Sequence, residues 1–123
     1  MINDVKWVNS EEHINALAAT ASLCKSYFNS YPPIIVVDTF SPSKLKYFIS
    51  HFEKEVKYLV VSLYCQDEIL TERIMNRKTG YKEIDNCLIL NREVGKYRHE
   101  NELFIDTSLM DAINVFDFVV KRL

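Results

Sequence analysis

The sequence predicts an α/β fold, a short parallel sheet with helices on both sides, and three observations carry that expectation. Short apolar, largely β-branched runs recur at 34–37 (IIVV), 58–63 (YLVVSL) and 103–105 (LFI). Each is followed by a segment whose apolar residues return at three- and four-residue spacing, the period of a helix packed along one face. Strands separated by helices need crossover connections, which are right-handed and produce parallel pairing in a three-layer α-β-α arrangement.

The elements follow in order. Val5 and Trp7 alternate with polar neighbours in DVKWV, as in the tail of a strand. Asn9 with Glu12 reads as a capping box, because the Asn side chain can accept from a free backbone N–H of the first turn. The helix so opened presents Ile14, Leu17, Ala18, Ala21, Cys24 and Phe28 on one face, and Tyr31-Pro32-Pro33 ends it, since proline has no amide donor and restricts its predecessor. The run Ile34–Val37 is continuous rather than alternating, the pattern of a strand covered on both faces. Pro42 opens the next helix with Ser41 as its cap, and Leu45, Phe48, Ile49 and Phe52 form its buried stripe.

Tyr58–Leu63 is the second buried strand, and a helix over 66–77 turns Ile69, Leu70, Ile74 and Met75 inward. KTGYKEID is polar and holds Gly80, so 78–86 reads as an exposed connection or a mobile lid. Cys87, Leu90, Val94 and Tyr97 mark another helical face, which Gly95 weakens or ends early. The third strand ends at Asp106-Thr107. Ser108 with Asp111 caps a last helix whose inner face is Leu109, Ala112, Ile113, Phe116, Val119, Val120 and Leu123.

Composition narrows the classes of function. The 123 residues fit a single domain spanning 1–123, and 48% hydrophobic with 26% charged residues is the balance of a globular chain. Fifteen basic against seventeen acidic residues give a formal net charge of −2, which argues against nucleic acid as a partner. Arg73, Arg77 and Lys78 form the one local basic patch singled out. No apolar run reaches the roughly 20 residues needed to span a bilayer, and the first residues resemble no secretion signal. Cys24, Cys65 and Cys87 are odd in number and far apart, which fits thiols in a reducing cytoplasm better than a disulfide framework. His13, His51 and His99 are equally scattered, so no structural metal is expected.

Three local patterns, in order, resemble small P-loop kinases of the shikimate, gluconate and adenylate kinase type over residues 34–123. IIVVDT is similar to that family's third strand. YLVVSLYCQDEILTERIMNRKTG is similar to its fourth strand, following helix and lid, with arginines four apart. FIDTS is similar to its fifth strand and adenine-side loop. The resemblance implies ATP-dependent phosphoryl transfer to a small hydroxylated substrate, with Mg²⁺ bridging the phosphates. Asp38 would be the Walker-B-like catalytic carboxylate, Arg73 would pack on adenine, Arg77 would meet phosphate oxygens, and Thr107 with Ser108 would line the adenine pocket. Asp4 matches, faintly, an acidic residue at the end of the family's second strand.

The family's phosphate loop has no counterpart. That loop needs Gly-x-x-x-x-Gly-Lys-Ser/Thr, whose amides wrap the phosphates. Gly80 and Gly95 are the only glycines, and neither is followed by Lys-Ser or Lys-Thr. The chain as given is therefore expected to need no cofactor and to turn over little ATP, with nucleotide and Mg²⁺ belonging to a full-length parent. The resemblance also implies a strand order of 2-3-1-4-5, so the missing first strand would lie between 34–38 and 58–63. Unpaired buried backbone groups cost on the order of 1–3 kcal/mol each. Three outcomes relieve that cost: the flanking strands pair directly, two chains add strands to one another as a homo-oligomer, or a longer parent supplies about 30–50 residues, one βα unit.

Each candidate residue has a plainer alternative. Asp38 also reads as a turn residue closing a strand. Arg77 and Lys78 also complement the negative end of a helix dipole, with Arg73 pairing Glu72 or another acid. Thr107 and Ser108 also read as capping residues. At the level of function the alternative to an inactive kinase-like chain is a non-catalytic interaction or dimerisation module.

Overall fold

The computed structural model describes residues 11–28, 30, 33–52 and 56–123. The expectations for DVKWV, for the Asn9–Glu12 capping box and for Tyr31-Pro32 lie outside them. The chain divides into two compact units, Met1–Tyr58 and Leu59–Leu123.

In the first unit, α1 (Glu11–Tyr27) carries Glu11 and Glu12 in its first turn and Lys25 in its last, so its end charges oppose the helix dipole favourably. Leu17 and Ala21, one turn apart, are its buried residues. The helix α2 (Pro42–Ser50) starts as its sequence dictates: Pro42 stands at its start and the Ser41 hydroxyl accepts from the Lys44 N–H. Leu17, Ala21 and Phe48 form a core on which Val36, Phe40 and Phe52 pack. Phe48 holds this cluster together, with its ring centroid 5.4 Å from Phe40 and 5.1 Å from Phe52. Burying such aromatics stabilises by about 1.5–3 kcal/mol each.

The expected strand at 34–37 is corrected here. The segment forms no helix or strand among the described residues. Only Val36 leans on the core, while Ile35 is 76% and Val37 90% exposed. An apolar run predicts a strand only if a neighbour offers a ladder, and no described residue does.

In the second unit, β1 (Val60–Tyr64), α3 (Asp67–Met75), α4 (Ile84–Lys96), β2 (Glu102–Asp106) and α5 (Ala112–Val120) follow in order. The two strands pair in parallel, Val60 against Glu102 through Tyr64 against Asp106. With five helices and this short parallel sheet among the described residues, the chain is a mixed α/β protein. Asn101, just before β2, takes the left-handed conformation (φ 56) and its carbonyl accepts from the Val60 N–H at 2.9 Å.

Tyr64 and Phe104 share one sheet face, their centroids 5.7 Å apart. On that face α4 comes so close that a Cβ on Gly95 would lie 2.8 Å from the Tyr64 ring. Gly95 therefore stays inside α4, which runs on to Lys96, and its role is close approach rather than termination. The connection after α3 is exposed from Asn76 to Gly80, and α4 begins at Ile84, so the expected 78–86 loop overlaps its first turn. Gly80 (φ 101) turns this connection.

Three further expectations are corrected. The cap of α5 is Asp111, in a capping box with Asn114, and Ser108 bonds elsewhere. Most of the face expected to turn inward on α5 is open instead: Leu109 is 97%, Ile113 70% and Phe116 65% exposed; of that face Val119 is half-buried, as are Val115 and Phe118, which were not placed on it. Met75 and Tyr97, also expected inside, are exposed, whereas Ile74 is fully buried. Among the described residues no helix is long and apolar enough to cross a membrane.

Candidate functional site

In a parallel sheet ligands gather beyond the carboxyl ends of the strands, which here are Tyr64-Cys65-Gln66 and Asp106-Thr107-Ser108. Thr107 prolongs the pairing past β2, its N–H donating to the Tyr64 carbonyl at 2.7 Å and its hydroxyl to the same oxygen at 3.1 Å. Arg73, in the last turn of α3, reaches across to this turn. Its Nη1 donates to Thr107 Oγ1 at 2.9 Å, and its Nη2 donates to the carbonyls of Thr107 at 2.6 Å and Met110 at 3.2 Å. Arg73 and Thr107, both singled out from the sequence, thus meet, but they meet each other. The alternative pairing of Arg73 with Glu72 gives way to this longer-range contact.

The neighbouring groups are similarly engaged. Asp106 Oδ1 accepts from the Ser108 N–H at 2.9 Å and its hydroxyl at 2.6 Å; these bonds hold the Asp106 carboxyl below the usual carboxylate range. The Ser108 hydroxyl oxygen in turn accepts from the Gln66 N–H at 2.9 Å, tying the turn after β1 to the turn after β2. Asn91 of α4 clamps Cys65, donating to its carbonyl at 2.8 Å and accepting from its N–H at 3.4 Å. Arg92 binds Asp67 Oδ2 through Nε and Nη2. Arg77 donates to the Tyr81 carbonyl at 2.8 Å, bracing the Gly80 turn. The Cys65 thiol is buried, and burial pushes its pKa up.

Asp38 belongs to the first unit. Its Oδ1 accepts from the Thr39 N–H at 2.7 Å, and Oδ2 lies 3.6 Å from His13 Nε2 of α1. The imidazole is 9% and the carboxylate 26% exposed. Lys44, in the first turn of α2, is 4% exposed, and its Nζ has no hydrogen-bond partner among the described residues. Burial pushes the Lys44 ammonium pKa down, a shift that the negative charge of Asp38 partly offsets. His13 and Lys44 were missed in the sequence. A signal was present: His13 precedes the buried Leu17 by four residues, and Lys44 precedes the buried Phe48 by four, so each extends a buried helical stripe by one turn.

Two places in the chain therefore concentrate polar chemistry: the strand ends, whose donors and acceptors are largely matched to one another, and the Asp38 cluster, which contains a buried cation without an acceptor. Among the described residues no group of three or more His, Cys, Asp or Glu side chains is arranged to hold a metal ion. No protein-family model, no curated protein and no solved structure matches this chain.

Proposed function

We propose that the chain is a non-catalytic interaction module of reducing cytoplasm that pairs with a second copy of itself through the apolar segment Ile34–Val37. The observation that carries this is the state of that segment: its β-branched run exposes Ile35 and Val37 and has no ladder partner among the described residues. An exposed run of β-branched residues with open amides and carbonyls is a template for another strand. A two-fold antiparallel partner of the same sequence can set Ile35 opposite Val37 and Val36 opposite its own copy, with the two Asp38 carboxylates at opposite ends of the ladder, where they do not repel. The three unbridged thiols fit a reducing compartment.

Light scattering over a range of concentrations tests this. The wild-type chain is expected to pass from 14.4 kDa toward twice that mass as concentration rises, and Ile35→Lys with Val37→Lys to keep it at the lower mass. A wild-type chain that stays monomeric at every concentration rejects the proposal.

A second possibility keeps the kinase resemblance, favoured by one observation: β1 and β2 are parallel neighbours, as that family's fourth and fifth strands would be in a three-layer sheet. The residues as they stand do not fit ATP and Mg²⁺. The sequence has no glycine-rich phosphate loop, and the Arg73 guanidinium is bound to Thr107 and Met110. Under this possibility Asp38, Arg73, Arg77 and Thr107 would act only beside a phosphate loop that these 123 residues do not contain, as in a full-length parent. Calorimetric titration of the chain with MgATP separates the two, since micromolar affinity would favour the kinase possibility.

A further inference from the structure

We infer that a cleft of the second unit, where Arg92 and Lys96 of α4 stand with Arg98 beside the Tyr64 and Phe104 rings, binds a small organic anion, a phosphate or carboxylate group carried on an apolar ring. The cleft has a volume of about 340 Å³, at the lower end of the range of small-molecule sites. Its wall is made by Tyr64, Arg92, Gly95, Lys96, Arg98 and Phe104. Three of these six residues are cations and none is acidic, so the cleft carries one sign of charge, and a concave wall concentrates that field.

The three cations are held differently. Arg98 is fixed: its Nη1 donates to the Val94 and Tyr97 carbonyls and to Glu102 Oε1, and its Nη2 to the Gly95 carbonyl. Its guanidinium carbon lies 3.5 Å from the centre of the Phe104 ring. Arg92 gives Nε and Nη2 to Asp67, which leaves its Nη1 uncommitted among the described residues. Both arginine side chains stay about half exposed, at 55% for Arg92 and 48% for Arg98, so a ligand can reach them. Lys96, in the last turn of α4, is exposed and forms no ion pair among the described residues.

The carboxylates that answer the arginines, Asp67 and Glu102, do not line the cleft. Glu102 is 3% exposed in its side chain and also accepts from the Ser62 hydroxyl and the His99 N–H. Three cations thus meet two carboxylates, and the charge of Lys96 is left for a ligand. Gly95 sets these charges beside the rings: a Cβ there would lie 2.8 Å from the Tyr64 ring, so only glycine lets this turn of α4 lie on the sheet face. A wall of rings and cations matches a ligand with an apolar body and an anionic end. A cleft of this size, in a chain of net charge −2, suits one such molecule rather than a nucleic acid strand.

Titration of the full chain with phenyl phosphate and with benzoate, followed by amide NMR shifts at constant ionic strength, tests the site. Saturable shifts centred on the Gly95, Lys96 and Phe104 amides are expected, and the tighter probe identifies the charged group. Lys96→Met should weaken binding at least about tenfold, the loss of one charge-assisted hydrogen bond, while Lys96→Glu abolishes it and Lys96→Arg retains it. Lys96 is exposed, so these variants are expected to melt as the wild type does, and lost binding reports on the site. Phenol, a ring without the anion, and inorganic phosphate, an anion without the ring, should each bind at least about tenfold more weakly than phenyl phosphate. Shifts that saturate with neither probe, affinity unchanged in Lys96→Glu, or phenol or inorganic phosphate binding as tightly as phenyl phosphate overturn the inference. The measurement does not depend on strand pairing: Ile35→Lys with Val37→Lys should bind the probes as the wild type does.

Discussion

Replacing Arg73 by Met distinguishes a structural guanidinium from a ligand-binding one. The methionine keeps much of the aliphatic stem while removing the bonds to Thr107 Oγ1, to the Thr107 carbonyl and to the Met110 carbonyl. The first two are part-buried and the third is exposed. A hydrogen bond to a charged donor contributes about 1.5–3 kcal/mol when shielded, and solvent competition reduces that. Thr107 keeps its bonds to the Tyr64 carbonyl, so the turn is weakened rather than abolished. The expected loss is about 2–3 kcal/mol, which for a unit of roughly 60–100 residues lowers the melting temperature by about 10–20 °C. Urea unfolding followed by far-ultraviolet circular dichroism gives the free energy, and amide exchange at Thr107 localises it. A variant within about 0.5 kcal/mol of wild type would refute this accounting of the turn.

Other outcomes follow from particular contacts. Lys44→Met should stabilise the first unit at neutral pH by about 1–3 kcal/mol. Because the folded Lys44 pKa is depressed, the unfolded chain binds more protons between that value and the ordinary lysine range. Wild-type stability should therefore rise through that window and the advantage of the variant shrink, in urea melts at increasing pH; a constant difference would show that the charge is not at issue. Gly95→Ala gains about 1 kcal/mol of helix propensity but drives a Cβ to 2.8 Å from the Tyr64 ring. It should destabilise by about 1 kcal/mol in the wild type and stabilise in a Tyr64→Ala background, a change of sign that a double-mutant cycle reads directly. Burial raises the pKa of all three thiols, and Cys65 is the one fully buried. Iodoacetamide should modify it more slowly than Cys24 or Cys87, and equal rates would contradict its placement.

What the sequence made legible was local. Ser41-Pro42 specified the start of α2 through a hydroxyl acceptor and a missing amide, and both strands of the sheet stood out as short β-rich runs. Partnership was not legible. Ile34–Val37 has the composition of a strand, but a ladder is a property of two segments, and four apolar residues do not specify a neighbour. On α5 almost every position is apolar, so a helical period could not choose which side faces inward. Arg73 finds Thr107 across 34 positions, a distance at which spacing carries no signal. Lys44 was passed over because charged residues are rarely buried without a partner.

The parallel register between β1 and β2 also constrains how the second unit reaches its native state. Its first rung joins Val60 to Glu102, and both intervening helices lie within the span that this rung closes. A chain must therefore gather that span before the sheet returns any stabilisation, so α3 and α4 are expected to collapse early and the strands to join last. Until then β1 is an apolar ribbon exposed on both edges. Its vulnerability to clumping during refolding is set by the order of events along the chain rather than by the stability of the finished sheet.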